Sequence, residues 1–200
     1  MKQVNLSNQQ KPDWALFLPA VSSFYISGLG KQRKGEPYFD QARIPAAFNG
    51  DVEKLNFLNS SQGLYTYKWG LYSAGHASLD LNKTVKSEDM VRNREKGTFL
   101  LGDSGGFQIG KGVINFDWQR FWEKQGDAGY VGKADKTRMA ILNWLEHTAD
   151  YSMVLDIPTW AARPPLNERT GLKSFQQCLD GTLYNNAWFL ANRQHKTKFL

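Results

Sequence analysis

The sequence predicts an α/β fold built around a parallel sheet. Short apolar segments that suit strands alternate with segments that suit helices, and this alternation favours parallel pairing. Two of the apolar segments, Thr98–Leu101 and Tyr151–Leu155, are each followed within two residues by an aspartate. Because the carboxyl ends of parallel strands meet at one edge of a sheet, we expect Asp103 and Asp156 to share that edge.

The first part of the chain predicts one strand and one loop before the sheet centre. The apolar run Ala15–Val21 indicates a strand, and the glycine-flanked segment Gly28–Gly35 indicates the loop that follows it. Within that loop, Lys31-Gln32-Arg33-Lys34 is the best candidate for a contact with phosphate. Extended segments are expected at 64–72 and 77–81.

The remaining elements follow from caps and periodicity. Ser87 can cap a short helix that ends at Arg94, with acidic residues in its first turn. Apolar residues at three- and four-residue spacing predict a helix capped by Asp135 that runs to Ala149. Further helices are expected at 116–125 and 171–194, the latter with Phe175, Cys178, Leu179, Thr182, Asn186 and Leu190 on one side, and a last strand at 197–200.

Composition limits the class of protein. The 200 residues are 41% hydrophobic and 14% aromatic, which is enough for one packed domain, and we place it at 13–200 after a flexible, polar segment at 1–12. Neither an 18-residue apolar stretch nor a secretory leader is present, and Cys178 is the single cysteine. We therefore expect no membrane partner, no disulfide and a cytoplasmic location, in the host if a phage encodes the chain. The formal charge of +6 is compatible with a polyanionic partner.

The segment after the Thr98–Leu101 strand is the most informative of the sequence. It reads Asp103-Ser104-Gly105-Gly106-Phe107-Gln108. The glycine pair permits a sharp turn and close approach of a flat ligand, while Phe107 offers a stacking face and Gln108 a donor and an acceptor. A plain turn after a strand requires one glycine and none of the other residues.

This segment resembles the motif of the tRNA-guanine transglycosylases. Leu155-Asp156, before a turn with proline, is similar to the second guanine-binding aspartate of that family, and Asn167-Glu168-Arg169-Thr170 is also similar. The segments 71–76 and 109–112 depart from the tRNA enzymes. The chain therefore resembles a divergent branch, such as the phage and bacterial enzymes that insert 7-deazaguanine bases into DNA.

The resemblance implies a (β/α)₈ barrel, of which 200 residues would form the N-terminal half. It implies exchange of guanine for a 7-deazaguanine base, such as preQ0 or preQ1, in DNA or tRNA, with DNA favoured. Asp103 would be the catalytic proton acceptor, and Ser104, Gly105, Gly106, Phe107, Gln108 and Asp156 would bind the base.

The resemblance also implies what this chain does not supply. The nucleophilic aspartate and the zinc site of the family would lie beyond residue 200, so no cofactor is expected within the chain. Cys178, His76, His147 and His195 show no ligand spacing, and Trp160 and Trp188 are expected in the core. A homodimer is left open.

Three other functions remain open from the sequence. The chain could be a queuine-type tRNA-ribosyltransferase, or a paralogue that binds nucleic acid or a partner subunit without catalysis. It could also be a glycoside hydrolase that uses Asp103 and Asp156 as its carboxylate pair. A glycoside hydrolase would account for the two aspartates, but it would leave the glycine pair and the Gln108 amide unexplained.

Overall fold

A parallel sheet forms the centre of the structure, a computed structural model that describes residues 15–33, 35–36, 38–83, 88–194 and 197–200. Its four strands are hydrogen-bonded in chain order: β1 (Trp69–Ser73), β2 (Phe99–Asp103), β3 (Tyr151–Ser152) and β4 (Lys198–Phe199). All pairs are parallel. The predicted α/β class with parallel strands is confirmed.

The first helix precedes β1, and the others lie between successive strands along the chain. The helices are α1 (Ser23–Arg33), α2 (Asp89–Arg92), α3 (Gly106–Lys111), α4 (Lys133–Thr148), α5 (Leu166–Thr170) and α6 (Phe175–Asn192). Short 3₁₀ turns occur at Gln41–Arg43, Ala46–Phe48, Val52–Leu55 and Thr159–Ala162. The predicted first strand is reduced to one parallel bridge between Ala20 and Leu71.

Helix α4 packs closely on the sheet because the strand offers it a glycine. A Cβ at Gly102 in β2 would lie only 2.7 Å from Leu145 and 2.8 Å from Ala149. Leu142 and Leu145 are fully buried, as the predicted apolar face requires. The helix begins two residues before the predicted cap. Asp135 therefore lies in the first turn, where it binds Arg138 rather than capping the helix.

Helix α6 is rotated from its predicted orientation. Its buried residues are Cys178, Gly181, Asn185 and Phe189, whereas Phe175, Leu179 and Leu190 are 63%, 38% and 49% exposed. Gly181 explains the rotation, because the space that its Cβ would occupy is filled by the Ile157 side chain. The backbone of α6 can approach the segment after β3 only along this face.

The predicted loop at 28–35 is wrong, because these residues up to Arg33 continue α1. Gly28 serves close packing rather than a turn, since a Cβ there would lie 2.5 Å from the Phe39 ring and 2.8 Å from Tyr38. The ammonium group of Lys31 lies 4.6 Å from the Tyr38 ring centre. Of the candidate phosphate contact, Lys31, Gln32 and Arg33 form the end of α1 rather than a loop, and Lys34 lies outside the described residues.

Two further predicted elements are absent from the described chain. Residues 77–80 form bends and irregular backbone rather than the extended segment expected at 77–81, Leu81 is helical, and 116–125 contain no helix. In the latter segment Phe116, Trp118 and Phe121 are all buried, and their spacing does not follow a helical period. Side chains satisfy its backbone instead: Arg138 donates to the Phe121 carbonyl, and Tyr184 donates to the Glu123 carbonyl at 3.0 Å.

At the amino edge of the sheet, a partly buried ion pair ties β2 to β3. Arg94 donates to the Asp150 carboxylate at 2.7 Å, and the same oxygen accepts the Leu100 N–H at 2.8 Å. The two chain elements that precede the candidate aspartates are thus joined at the edge opposite to them.

Among the described helices, none is long and apolar enough to cross a membrane. The segment 1–12 and the predicted cap Ser87 lie outside the described residues.

Candidate functional site

Asp103 lies at the carboxyl end of β2, which runs two residues further than predicted. In the register of the sheet its partner is Ser73, the last residue of β1. The Ser73 hydroxyl donates to the Asp103 carboxylate at 2.5 Å, and it accepts the Gly75 N–H at 3.0 Å. Asp103 is partly buried, and one of its two carboxylate oxygens is held by this bond.

The loop after Asp103 turns sharply against the end of β1. Gly105 has φ +82°, which only glycine adopts without strain, and a Cβ there would lie 2.7 Å from the Gly75 nitrogen. Ser104 is fully buried and donates to the Val154 carbonyl at 2.9 Å. The Ser104 hydroxyl therefore connects the two predicted motifs, and its proton is engaged with the backbone.

Gly106 brings Asp156 against the first motif. A Cβ at Gly106 would lie 2.9 Å from Cγ of Asp156, and closer still to its Oδ1 and its carbonyl oxygen. The first turn of α3 can therefore reach the Asp156 carboxylate only because residue 106 carries no side chain. The structure thus brings together the two aspartates and the glycine pair that the sequence singles out.

The electrostatics of Asp156 reflect this packing. Its pKa is raised above the usual aspartate value, mainly because neighbouring protein atoms desolvate the carboxyl group, although the residue as a whole is exposed to solvent. The negative charge of Asp103 is the second cause. Two carboxylates that influence each other in this way lie in one site.

Phe107 extends from α3 into solvent and is 54% exposed. Its ring meets Trp160 edge to face, with the ring centres 5.2 Å apart. The ammonium group of Lys111 lies 5.8 Å from the Phe107 ring centre and 5.4 Å from that of Trp160. Phe107 is therefore placed as a partly open aromatic face, and Trp160, expected in the core, borders the site.

Gln108 faces β1 and its following turn. It is 8% exposed, and its Nε2 lies 3.2 Å from His76 Nε2. Its Oε1 is buried and has no hydrogen-bond partner among the described residues. A Cβ at Gly75 would collide with this amide, so the turn after β1 is shaped to receive it.

A buried network beneath the site supports the segment before Asp156. Arg138 is completely buried and donates to Asn185 at 2.8 Å and to Asp135 at 2.6 Å. Asn185 in turn donates to the Leu155 carbonyl at 3.0 Å. The backbone next to Asp156 is thus fixed by a guanidinium group on α4 acting through an amide on α6.

Sequence reasoning missed Ser73 and Arg138 as parts of this site. Ser73 ends an apolar strand just as Asp103 does, so its position carried a usable signal once β1 and β2 were taken as neighbours. Arg138 carried no comparable signal, because it interrupts the apolar face of α4. One of its partners, Asn185, is 47 residues away, and the other, Asp135, is three residues away.

Two open cavities of about 550 Å³ each occur in the described structure, and neither is lined by Asp103 or Asp156. The carboxylates instead stand at an open edge of the sheet. Within the described residues, no group of three or more His, Cys, Asp and Glu side chains is arranged to hold a metal ion. Cys178 is buried and has a raised pKa, chiefly through desolvation.

Comparison with known proteins adds no relative to this picture. The chain matches no protein-family model, no curated protein and no solved structure.

Proposed function

We propose that this chain is part of a (β/α)₈ barrel that exchanges guanine in nucleic acid for a 7-deazaguanine base. The strand order supports the barrel. In a doubly wound sheet the strand order reverses at a switch point, whereas a barrel keeps its parallel strands in chain order. Here the Ala20 bridge, β1, β2, β3 and β4 follow one another in that order.

The observation that carries the proposed reaction is the packing of Gly106 on Asp156 beside Asp103. A carboxylate can accept two hydrogen bonds from the N1–H and the exocyclic amine of a guanine-like edge. Asp156 is suited to that role, and Phe107 provides an aromatic face for the flat base. The purine must leave its stack to reach such a site.

Base exchange takes place in two displacements. A carboxylate attacks C1′ of the nucleotide, the C1′–N9 bond breaks, and guanine leaves after gaining a proton. The incoming 7-deazaguanine base gives up its N9 proton and attacks C1′, so that the carboxylate is released and the configuration is retained. Asp103, held by Ser73, is our candidate for the group that accepts this proton. The nucleophilic carboxylate would lie beyond residue 200.

The substrate polymer we propose is DNA in preference to tRNA. The support comes from the two segments that depart from the tRNA enzymes, and both contact the motif. Ser73 and His76 belong to the first segment and bond to Asp103 and Gln108. The second segment includes the end of α3, where Arg169 donates to the Gly110 carbonyl.

Nucleoside mass spectrometry provides the test. DNA and tRNA are isolated from cells that express the full-length protein and receive a 7-deazaguanine supply, with an Asp103→Asn strain as the control. We expect modified base in DNA, and none in the control. Modified base in tRNA alone would reject the DNA preference, and its absence from both polymers would reject the exchange reaction.

Calorimetry with this chain distinguishes base exchange from the alternative of a glycoside hydrolase that uses Asp103 and Asp156 as its carboxylate pair. We expect a 7-deazaguanine base to bind and simple sugars not to bind. Binding of an oligosaccharide in place of the base would support a glycoside hydrolase.

A further inference from the structure

A group of cations surrounds one of the open cavities near the candidate site. The cavity has a volume of about 550 Å³. Three cationic residues line it, Lys133, Lys136 and Arg169, and only one acidic residue does, Asp117. All three cationic residues are exposed. Trp118 also lines the cavity, is 6% exposed, and has a buried indole Nε1 without a hydrogen-bond partner among the described residues. The cavity therefore combines excess positive charge with a donor that lacks an acceptor.

Arg169 connects this cavity to the aspartates. Its guanidinium group donates to the Gly110 carbonyl and, at 3.4 Å, to the Ile109 carbonyl, both in the last turn of α3. The other end of the same helix begins at Gly106, against Asp156. With six residues, α3 is about 9 Å long, which corresponds to two or three nucleotide steps of B-form DNA.

Lys111 is the last residue of α3, and its side chain reaches back towards Phe107 in the first turn. It is exposed at the end of α3, and its ammonium group lies over the adjoining rings of Phe107 and Trp160. Cations therefore continue from the aromatic border of the site through Lys111 and Arg169 to Lys133 and Lys136. Cations next to partly open aromatic rings are the arrangement by which proteins follow a nucleic-acid strand.

We propose that Lys111, Arg169, Lys133 and Lys136 form a phosphate track that binds the nucleic-acid strand on one side of the target nucleotide. The cavity receives a backbone phosphate, and the target base reaches Asp103 and Asp156 at the other end of α3. This inference rests on the proposed function, and it adds where the polymer lies and which residues hold its backbone.

The test uses fluorescence anisotropy of the full chain with a labelled single-stranded oligodeoxynucleotide of about 12 residues, within the usual range of site sizes. The variant Lys133→Gln/Lys136→Gln removes two charges from the cavity. Its matched control, Lys68→Gln/Lys96→Gln, removes two exposed charges just before β1 and β2, at the amino edge of the sheet. Both doubles change the net charge equally.

We expect the cavity variant to bind severalfold more weakly and to lower the slope of log K against log salt by about 1.4, or about 0.7 for each lost phosphate contact. The control should leave both quantities nearly unchanged. Equal effects of the two doubles would overturn the track, because only net charge would then matter. We expect inorganic phosphate to compete only weakly with the oligonucleotide. If it displaces the oligonucleotide when present at the same concentration as the oligonucleotide's phosphates, the track is overturned in favour of a site for free anions.

Calorimetry with a 7-deazaguanine base distinguishes failure of the track from failure of the proposed function. Both lysine doubles should bind the base as the wild type does. If the base fails to bind while the anisotropy pattern holds, the exchange reaction is rejected and the track stands. If the base binds while the pattern is absent, the track alone is rejected.

Discussion

The Ser73 hydroxyl lies 2.5 Å from the carboxylate of Asp103, its partner in the register of β1 and β2. The hydroxyl also accepts the Gly75 N–H, so its proton is directed towards Asp103. Two strand ends and a turn thus fix one carboxylate oxygen and leave the other to a ligand. Such support from a neighbouring residue is what keeps a catalytic group in its productive geometry.

The variant Ser73→Ala removes this donor. We expect guanine exchange by the full-length protein to fall roughly tenfold, since the loss of a hydrogen bond to a charged, partly buried group costs about 1–3 kcal/mol. Ser73→Thr keeps the hydroxyl and should retain most of the rate. Incorporation of labelled guanine measures both variants, and a wild-type rate in Ser73→Ala would show that the hydroxyl does not support Asp103.

Gly106→Ala tests the contact between α3 and Asp156. In a helix, alanine is favoured over glycine by roughly 0.5–1 kcal/mol. That gain is too small to offset a Cβ 2.9 Å from Cγ of Asp156 and closer to its carbonyl oxygen, so Asp156 must move. We expect calorimetry to show at least a tenfold loss of affinity for the 7-deazaguanine base.

Gly70→Ala is the matched control, because a Cβ in that strand would meet its nearest neighbour, Leu100, at 3.5 Å, an ordinary contact. It should bind the base normally. Normal affinity in Gly106→Ala would place the base away from Asp156.

Asp156 should make base binding dependent on pH. Its pKa is raised, so the carboxylate needed for the two hydrogen bonds is lost as the pH falls through that raised value. We expect wild-type affinity to decline towards acid pH. Asp156→Asn should bind the base about ten- to hundredfold more weakly, without this decline, because its amide donors face donors of the base.

The same shift has the opposite sign for stability. A folded-state pKa above the unfolded value means that the native state favours the protonated form, so this stabilising contribution is present at low pH and is lost as the pH rises through the raised pKa. The ionised group therefore disfavours folding at neutral pH. We expect Asp156→Asn to have a slightly higher melting temperature than the wild type at pH 7, measured by calorimetry. A lower melting temperature would contradict the desolvation of Asp156.

Local patterns predicted the parts of the fold that depend on local chemistry. The apolar strand before Asp103 and the amphipathic period of α4 were visible in the sequence and are present in the structure. The wrong loop at 28–35 and the wrong buried face of α6 have one cause. Gly28 was taken as a loop signal and Gly181 was passed over, yet each provides space for a side chain from another part of the chain.

The supports of the site could not be predicted in the same way. The expected helix at 116–125 failed because the Phe121 carbonyl, which a helix would have bonded to the N–H of residue 125, accepts from Arg138 instead. Tyr184 holds the Glu123 carbonyl in the same segment. The rotation of α6 depends on Ile157, and the role of Ser104 depends on Val154, 50 residues away. These are tertiary contacts, and neither a period nor a cap reports them.

Among the residues that support the site, Arg138 should cost the most stability when it is replaced. The residue is completely buried, and its removal leaves Asp135 without its cation and Asn185 without a donor. Breaking one side of such a buried pair costs about 3–5 kcal/mol, so we expect Arg138→Met to lower the free energy of unfolding in urea by that amount.

Arg43→Met is the control for this replacement, since it removes a cation from an ion pair of the same i,i+3 spacing with Asp40, but the Arg43 and Asp40 side chains are 87% and 59% exposed. An exposed pair contributes about 0–1 kcal/mol. We therefore expect a small change in the control and a large one in Arg138→Met. Asn185 also donates to the Leu155 carbonyl, and an aspartate at this position cannot donate there. We therefore expect the mild variant Asn185→Asp to weaken binding of the 7-deazaguanine base, and to lower stability less than Arg138→Met does. Equal unfolding free energies for the Arg138 and Arg43 variants would show that the buried network does not hold the segment before Asp156.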